Sequence, residues 1–146
     1  MKHGLVIFLI TLTAYTLTAG GHLYSPDEEI YYQVTRSLAN FKGNAIHPIS
    51  PTGFGTQPGK PGRSDGREYA QYGIGQPLIA VPLHWLGEWL GSFGTDATWQ
   101  KMYGRAGKQF SSHELAPRWA CSWFNILVGA LMAVTVWIIW RTFVHN

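Results

Sequence analysis

The sequence predicts an all-α membrane protein: two transmembrane helices joined by a long extracytoplasmic loop that carries two amphipathic juxtamembrane helices. Three observations lead there. Apolar residues gather in a run near each end, at 5–24 and 117–141, instead of being spread over many short elements. Tryptophans flank the second run. All eight carboxylates of the 146-residue chain lie between the two runs, so negative side-chain charge is confined to the connection.

Trp119 to Trp140 holds no ionisable side chain except Cys121, and at about 1.5 Å per residue it spans roughly the 30 Å hydrocarbon core of a bilayer. Trp119 and Trp123 mark one end and Trp137 and Trp140 the other, as interfacial aromatic belts do. A helix buried in a soluble core can also be apolar all round; the length and the flanks favour the membrane. The first run is open to two readings. Met1-Lys2-His3 followed by apolar residues and then Thr18-Ala19-Gly20-Gly21 fits a secretory signal peptide, whose cleavage would leave a single-pass protein. The uncharged stretch continues past these small residues to Tyr24, which favours an uncleaved span over 5–24.

Eight Lys or Arg balance the eight carboxylates inside the connection, so the net +3 comes from Lys2, Arg118 and Arg141. There is no basic tract, and nucleic acid is not an expected partner. A long connection does not set orientation; the short basic flanks at Lys2 and Arg141 do, and they place both termini in the cytoplasm and the loop outside. The single Cys121 permits no internal disulfide.

Within the loop, taken as 25–116, a first helix is expected over about 25–40. Ser25 can cap it, Pro26 suits its first position, and Glu28 completes a capping box. Ile30, Val34 and Leu38 form its apolar stripe, and Glu29, Gln33, Arg36 and Asn40 its polar face. From 43 to 75 repeated Gly and Pro predict loop. Gly59-Lys60 faintly resembles the end of a phosphate-binding loop, but Phe54 replaces the required glycine and Pro61 the required hydroxyl residue. A second helix is expected over about 77–92, with Leu78, Val81, Trp85 and Trp89 at helical spacing, His84 and Glu88 on a more polar side, and Pro82 kinking it or fixing its start. Its length and polar residues suit the headgroup region better than a span. Residues 94–112 show no clear periodicity.

The chemical candidates are few. Glu28 reads as a first-turn acid and cap. Asp27 falls in line with Ile30, Val34 and Leu38, and a charge on an apolar stripe is unfavourable unless paired or in use, so a functional role stands beside the plain first-turn acid as a reading of it. Arg118, just outside the second span, suits either a headgroup anchor or a phosphate ligand. Tyr69 and Tyr72 are either plain loop residues or part of a segment over a site. The six His show no metal-ligand spacing, and His22, His47, His84 and His113 read as structural or surface residues.

The order of these features resembles a family. A first span, the acidic motif Ser25-Pro26-Asp27-Glu28-Glu29-Ile30-Tyr31-Tyr32, the segment from Gly66-Arg67-Glu68-Tyr69-Ala70-Gln71-Tyr72-Gly73 to Pro82, and Arg118 before the next span are together similar to the amino-terminal part of GT-C integral membrane glycosyltransferases. Protein O-mannosyltransferases and the aminoarabinose transferases of lipid A belong there. The resemblance implies a polyprenyl-phosphate sugar donor, with Asp27 as the base that deprotonates an acceptor hydroxyl, Glu28 assisting or capping, and Arg118, Tyr69 and Tyr72 on the substrate. It implies no cofactor; members work with or without a divalent metal, and no metal is assigned. Members are several times longer, so the chain is expected to be a fragment of such an enzyme, partnered by the bilayer and by further helices. Two other readings stand beside this one: a small non-catalytic membrane protein whose amphipathic loop binds a partner or the bilayer surface, and a secreted, then anchored protein.

Overall fold

The computed structural model describes residues 2–23, 25–46, 56–58, 68–70, 72–103 and 111–144. The protein is mostly helical. In chain order the elements are α1 (Lys2–Thr18), α2 (Pro26–Ala39), β1 (Ala45–Ile46), β2 (Thr56–Pro58), β3 (Glu68–Ala70), α3 (Gly75–Gly91), α4 (Asp96–Tyr103), α5 (Ser112–Ser122) and α6 (Phe124–Val144). They form two compact units, one of residues 1–21 and 122–146, the other of residues 22–121.

The first unit is a hairpin of α1 and α6. The pairing is antiparallel: a Cβ at Gly4 would lie 3.3 Å from the Trp137 ring, and one at Gly129 2.7 Å from the Tyr15 ring. Small residues let large rings close against the facing backbone. The continuous stretch 113–144 is the one helical segment among the described residues that is long and apolar enough to cross a membrane. Only 11% of its most apolar window is buried inside the protein, unlike a core helix of a soluble domain. α1 is apolar but ends at Thr18, short of the 5–24 expected. Gly20 and Gly21 stop it, and Gly21 takes a left-handed φ of 67°, as a residue just past a helix end often does. Thr13, Thr16 and Thr18 donate their hydroxyls to carbonyls four residues earlier, at 2.7–3.1 Å, which hides polar groups along an apolar helix.

The second unit is built on α2. Ile30 and Val34 are fully buried against Ile46, with Leu38 and Ala70 packed around them, so the expected stripe faces a small sheet. That sheet has the order β1-β3-β2 with both pairings antiparallel, Ala45 opposite Tyr69 and Gln57 opposite Tyr69 on its other side. It lies in the stretch expected to be loop. Its strands are two or three residues long, and Pro58 sits on an edge strand, where a missing N–H is tolerated, so Gly and Pro spacing alone could not reveal it. The rest of the expected loop, including His47 and Gly59-Lys60, lies outside the described residues.

α3 packs on α2 and runs through Pro82, exposing Leu78, Ile79, Leu86 and Trp89 while burying Ala80, Val81 and His84. Trp85 donates its indole N–H to the Ala39 carbonyl at 3.3 Å. α4 was not expected. Thr95 starts it, accepting the Thr98 N–H at 3.3 Å, and Asp96 sits in its first turn. Trp99 and Tyr103 then anchor a second core with Leu115 and Ala116, backed by Leu90 and Trp119. Tyr103 also receives the Leu23 N–H on its hydroxyl oxygen at 3.3 Å, and burial pushes its phenol up to about 12.

Candidate functional site

The start of α2 is set by reciprocal hydrogen bonds. Ser25 Oγ accepts the Glu28 N–H at 3.2 Å, and Glu28 Oε2 accepts the Ser25 N–H at 3.3 Å. Glu28 is thereby engaged as the capping residue that its spacing predicts. Asp27, one residue earlier, is exposed, and its Oδ1 accepts the Tyr72 hydroxyl at 3.0 Å. The Tyr72 ring stacks on Tyr31 at 5.4 Å, so an aromatic pair holds the phenol over the carboxylate. Asp27 therefore sits beyond the buried part of the stripe. Ile30 and Val34 are packed against Ile46, whereas Asp27 one turn earlier stays exposed, so the burial expected from its register does not arise.

Glu29 occupies the deeper position. It was expected on a solvated polar face; its side chain is only 18% exposed, and it meets the guanidinium of Arg118, whose side chain is 4% exposed. Arg118 Nη2 donates to Glu29 Oε1 at 2.9 Å and its Nε to Glu29 Oε2 at 3.3 Å, while Nη1 donates to the Glu114 carbonyl at 3.0 Å. This two-point fork is the strongest pairing that a carboxylate and a guanidinium make. Gln33, also expected on the polar face, is buried and donates Nε2 to Glu29 Oε1 at 2.6 Å. The Glu29 and Gln33 part of the polar face is thus an internal seam, while Asn40 at the far end of the helix is exposed.

Tyr32 lies between two partners in this seam. The Arg118 guanidinium carbon is 4.6 Å from the centre of its ring, within cation–π range, and the His84 ring stacks on it at 5.8 Å. Burial pushes the Tyr32 phenol up, opposed by the Arg118 charge. His84, expected to be either a structural or a surface residue, is 2% exposed. Burial first, then the charges of Arg36 and Arg118, lower its pKa from 6.5 to about 4. Glu88 Oε1 stands 3.8 Å from His84 Nδ1, beyond hydrogen-bond range, and its side chain is half exposed.

A depressed histidine makes stability depend on pH. Between pH 6.5 and about 4 the unfolded chain takes up the proton and the folded chain does not. Its contribution is therefore complete above pH 6.5 and is lost as pH falls through that window. The protein is expected to lose on the order of 2 to 3 kcal/mol from this group between pH 7 and pH 4, at about 1.4 kcal/mol per unit. Chemical denaturation of the protein and of His84→Gln across that range checks it: the variant should show the shallower slope.

The structure brings together two residues read from different parts of the sequence, Asp27 and Tyr72. Tyr69 is placed in β3, its backbone opposite Ala45 and Gln57. Arg118 is directed at Glu29 and not toward open solvent. Gly66, Arg67 and Gln71, which contribute to the resemblance, lie outside the described residues. Among the described residues no group of three or more His, Cys, Asp or Glu is placed to hold a metal ion. The partnership of Glu29 with Arg118 was missed because the residues are 89 positions apart; the one available signal was an arginine at the mouth of an apolar helix, which calls for a counter-charge. Comparison with known proteins finds no matching family model, no matching curated protein and no matching solved structure.

Proposed function

We propose that the chain is the amino-terminal portion of a membrane glycosyltransferase that moves a sugar from a polyprenyl-phosphate donor to an acceptor hydroxyl, with Asp27 as general base. The observation that supports this reading is the hydrogen bond from Tyr72 to Asp27. It joins the acidic motif to the Tyr-Gly-Ile-Gly segment, two of the four sequence features that together carry the resemblance to GT-C enzymes. Asp27 is exposed, so an acceptor hydroxyl can reach it. In the reaction its carboxylate takes the hydroxyl proton as the oxygen attacks the anomeric carbon. The bond from that carbon to the donor phosphate breaks, and the lipid phosphate leaves with the electron pair.

The other residues take supporting roles in this reading. Tyr72 orients the carboxylate, Glu28 holds the first turn of α2, and Arg118 can meet a donor phosphate only by leaving Glu29. Two spans would enclose an extracytoplasmic unit, with both termini cytoplasmic. Asp27→Asn, in membranes containing the chain and the remaining helices of the enzyme, is expected to lower sugar transfer from a labelled polyprenyl-phosphate donor by about 100-fold or more. Unchanged transfer would remove the base assignment.

A second reading is favoured by α3. Leu78, Ile79, Leu86, Trp89 and the following Phe93 are all exposed on one small unit, more apolar surface than a helix in water usually leaves open. A non-catalytic membrane protein that lays this helix in the headgroup region would use that surface.

A further inference from the structure

No acidic side chain precedes Asp27 or follows Glu114. The hairpin of α1 and α6 brings the basic residues of both ends to one place. There a cavity of about 410 Å³ is lined by His3, Trp137, Trp140 and Arg141. Trp137 organises it. The Arg141 guanidinium carbon lies 5.6 Å from the centre of the Trp137 ring, and the His3 ring is tilted against Trp137 at 6.4 Å. Gly4, one residue after His3, leaves room for that ring to approach α1.

This lining selects an anion with more than one oxygen. A guanidinium offers parallel N–H donors that match two oxygens of a phosphate, and stacking on an indole holds its plane without using those donors. The His3 imidazole adds a ring nitrogen beside it. No carboxylate among the lining residues competes for the guanidinium. The volume is in the range of small-molecule sites, roughly 300–1,000 Å³.

The helix surfaces next to the cavity identify the source of the phosphate. Leu5, Val6 and Leu9 on α1 and Val136, Ile138 and Ile139 on α6 are all about half exposed or more. A free phosphate would leave this apolar surface uncovered, whereas acyl chains attached to the phosphate would lie along it. We propose that the cavity lined by His3, Trp137, Trp140 and Arg141 binds the phosphodiester of an anionic phospholipid, whose chains run along the exposed faces of α1 and α6. In the orientation expected from the basic flanks, this end meets the leaflet richest in such lipids. The site is independent of Asp27 and of sugar transfer.

Native mass spectrometry of the full chain, offered equal amounts of phosphatidylglycerol and phosphatidylcholine with identical chains, tests it. The first bound lipid should be phosphatidylglycerol by roughly fivefold, the preference that about 1 kcal/mol per basic residue gives. Arg141→Gln should bring the ratio close to one, and Arg141→Lys, which keeps the charge but loses the fork, should fall between. Lys42→Gln removes an exposed cation elsewhere and should leave the ratio unchanged. An equal ratio in the wild-type chain, or a loss in Lys42→Gln as large as in Arg141→Gln, overturns the site. Displacement of the bound lipid by millimolar inorganic phosphate alone overturns the lipid assignment in favour of free phosphate. If Arg141→Gln does not fold, an Arg141→Lys ratio equal to wild type overturns it.

Discussion

Arg118→Ala is expected to destabilise the 22–121 unit by about 3 to 5 kcal/mol, because it removes one partner of a buried ion pair and leaves the other without its counter-charge. Three contacts would go together: the fork to Glu29, the hydrogen bond to the Glu114 carbonyl and the stacking over Tyr32. Glu29 would keep Gln33 as a donor, which is why the loss should not reach the full desolvation of a lone charge. Urea denaturation in mild detergent, followed by near-ultraviolet circular dichroism of the tryptophans, measures it. Arg118→Lys should recover only part of the loss, since an ammonium cannot make the two-point contact. Glu29→Leu combined with Arg118→Met should recover more than either single change, since no buried charge is then left unpaired. An Arg118→Ala protein within about 1 kcal/mol of wild type would mean that the seam contributes no more than a surface ion pair.

Gly87→Ala is the second large effect expected. Gly87 is buried where α3 crosses α5, and a Cβ there would fall on Pro117 Cα, 2.7 Å from the Ala116 carbonyl oxygen and 2.8 Å from Pro117 N. All three are backbone atoms, and Pro117 has no rotamer that could move aside. The helices must separate, which opens the contacts of Leu90 with Leu115 and Ala116. Overpacking of this kind is expected to cost about 3 kcal/mol, the upper part of the usual range. The gain in helix propensity from Gly to Ala, up to about 1 kcal/mol, offsets a fraction of it. The same denaturation experiment checks the result, and a Gly87→Ala protein as stable as wild type would show that α3 and α5 do not approach this closely.

Local signals in the sequence read well and distant ones did not. The start of α2 was legible because Ser25, Pro26 and Glu28 act within one turn, and the structure shows both capping hydrogen bonds. α3 was legible from helical spacing, with bounds close to those expected. α4 carried a readable signal, Thr95 followed by Asp96 ahead of Trp99 and Tyr103, but eight residues are too few to show two turns of clear periodicity. The sheet could not be read, because its short strands are defined by pairing and not by alternation. α1 ended early because Gly20 and Gly21 outweighed the continuing lack of charge.

The candidate site divided in the same way. Glu28 makes the capping bonds that its spacing predicts, but the register argument put Asp27 on the apolar stripe, whereas it lies exposed at the helix end. Tyr72, read as a plain loop residue or part of a segment over a site, meets Asp27 across 45 positions. Glu29 was read as part of a polar face, His84 as a structural or surface residue, and Tyr32 was given no role. Their contacts run between α2, α3 and α5, which periodicity within one helix does not register.

On the proposed function, Asp27 takes the acceptor proton during sugar transfer. The direct measurement compares donor binding with turnover in Asp27→Asn, using a photoreactive polyprenyl-phosphate sugar in membranes that contain the chain with its partner helices. Donor labelling is expected to stay within about twofold of wild type while transfer falls by about 100-fold or more, since the loss of a general base acts on the chemical step. Transfer that survives Asp27→Asn at the wild-type rate would contradict it.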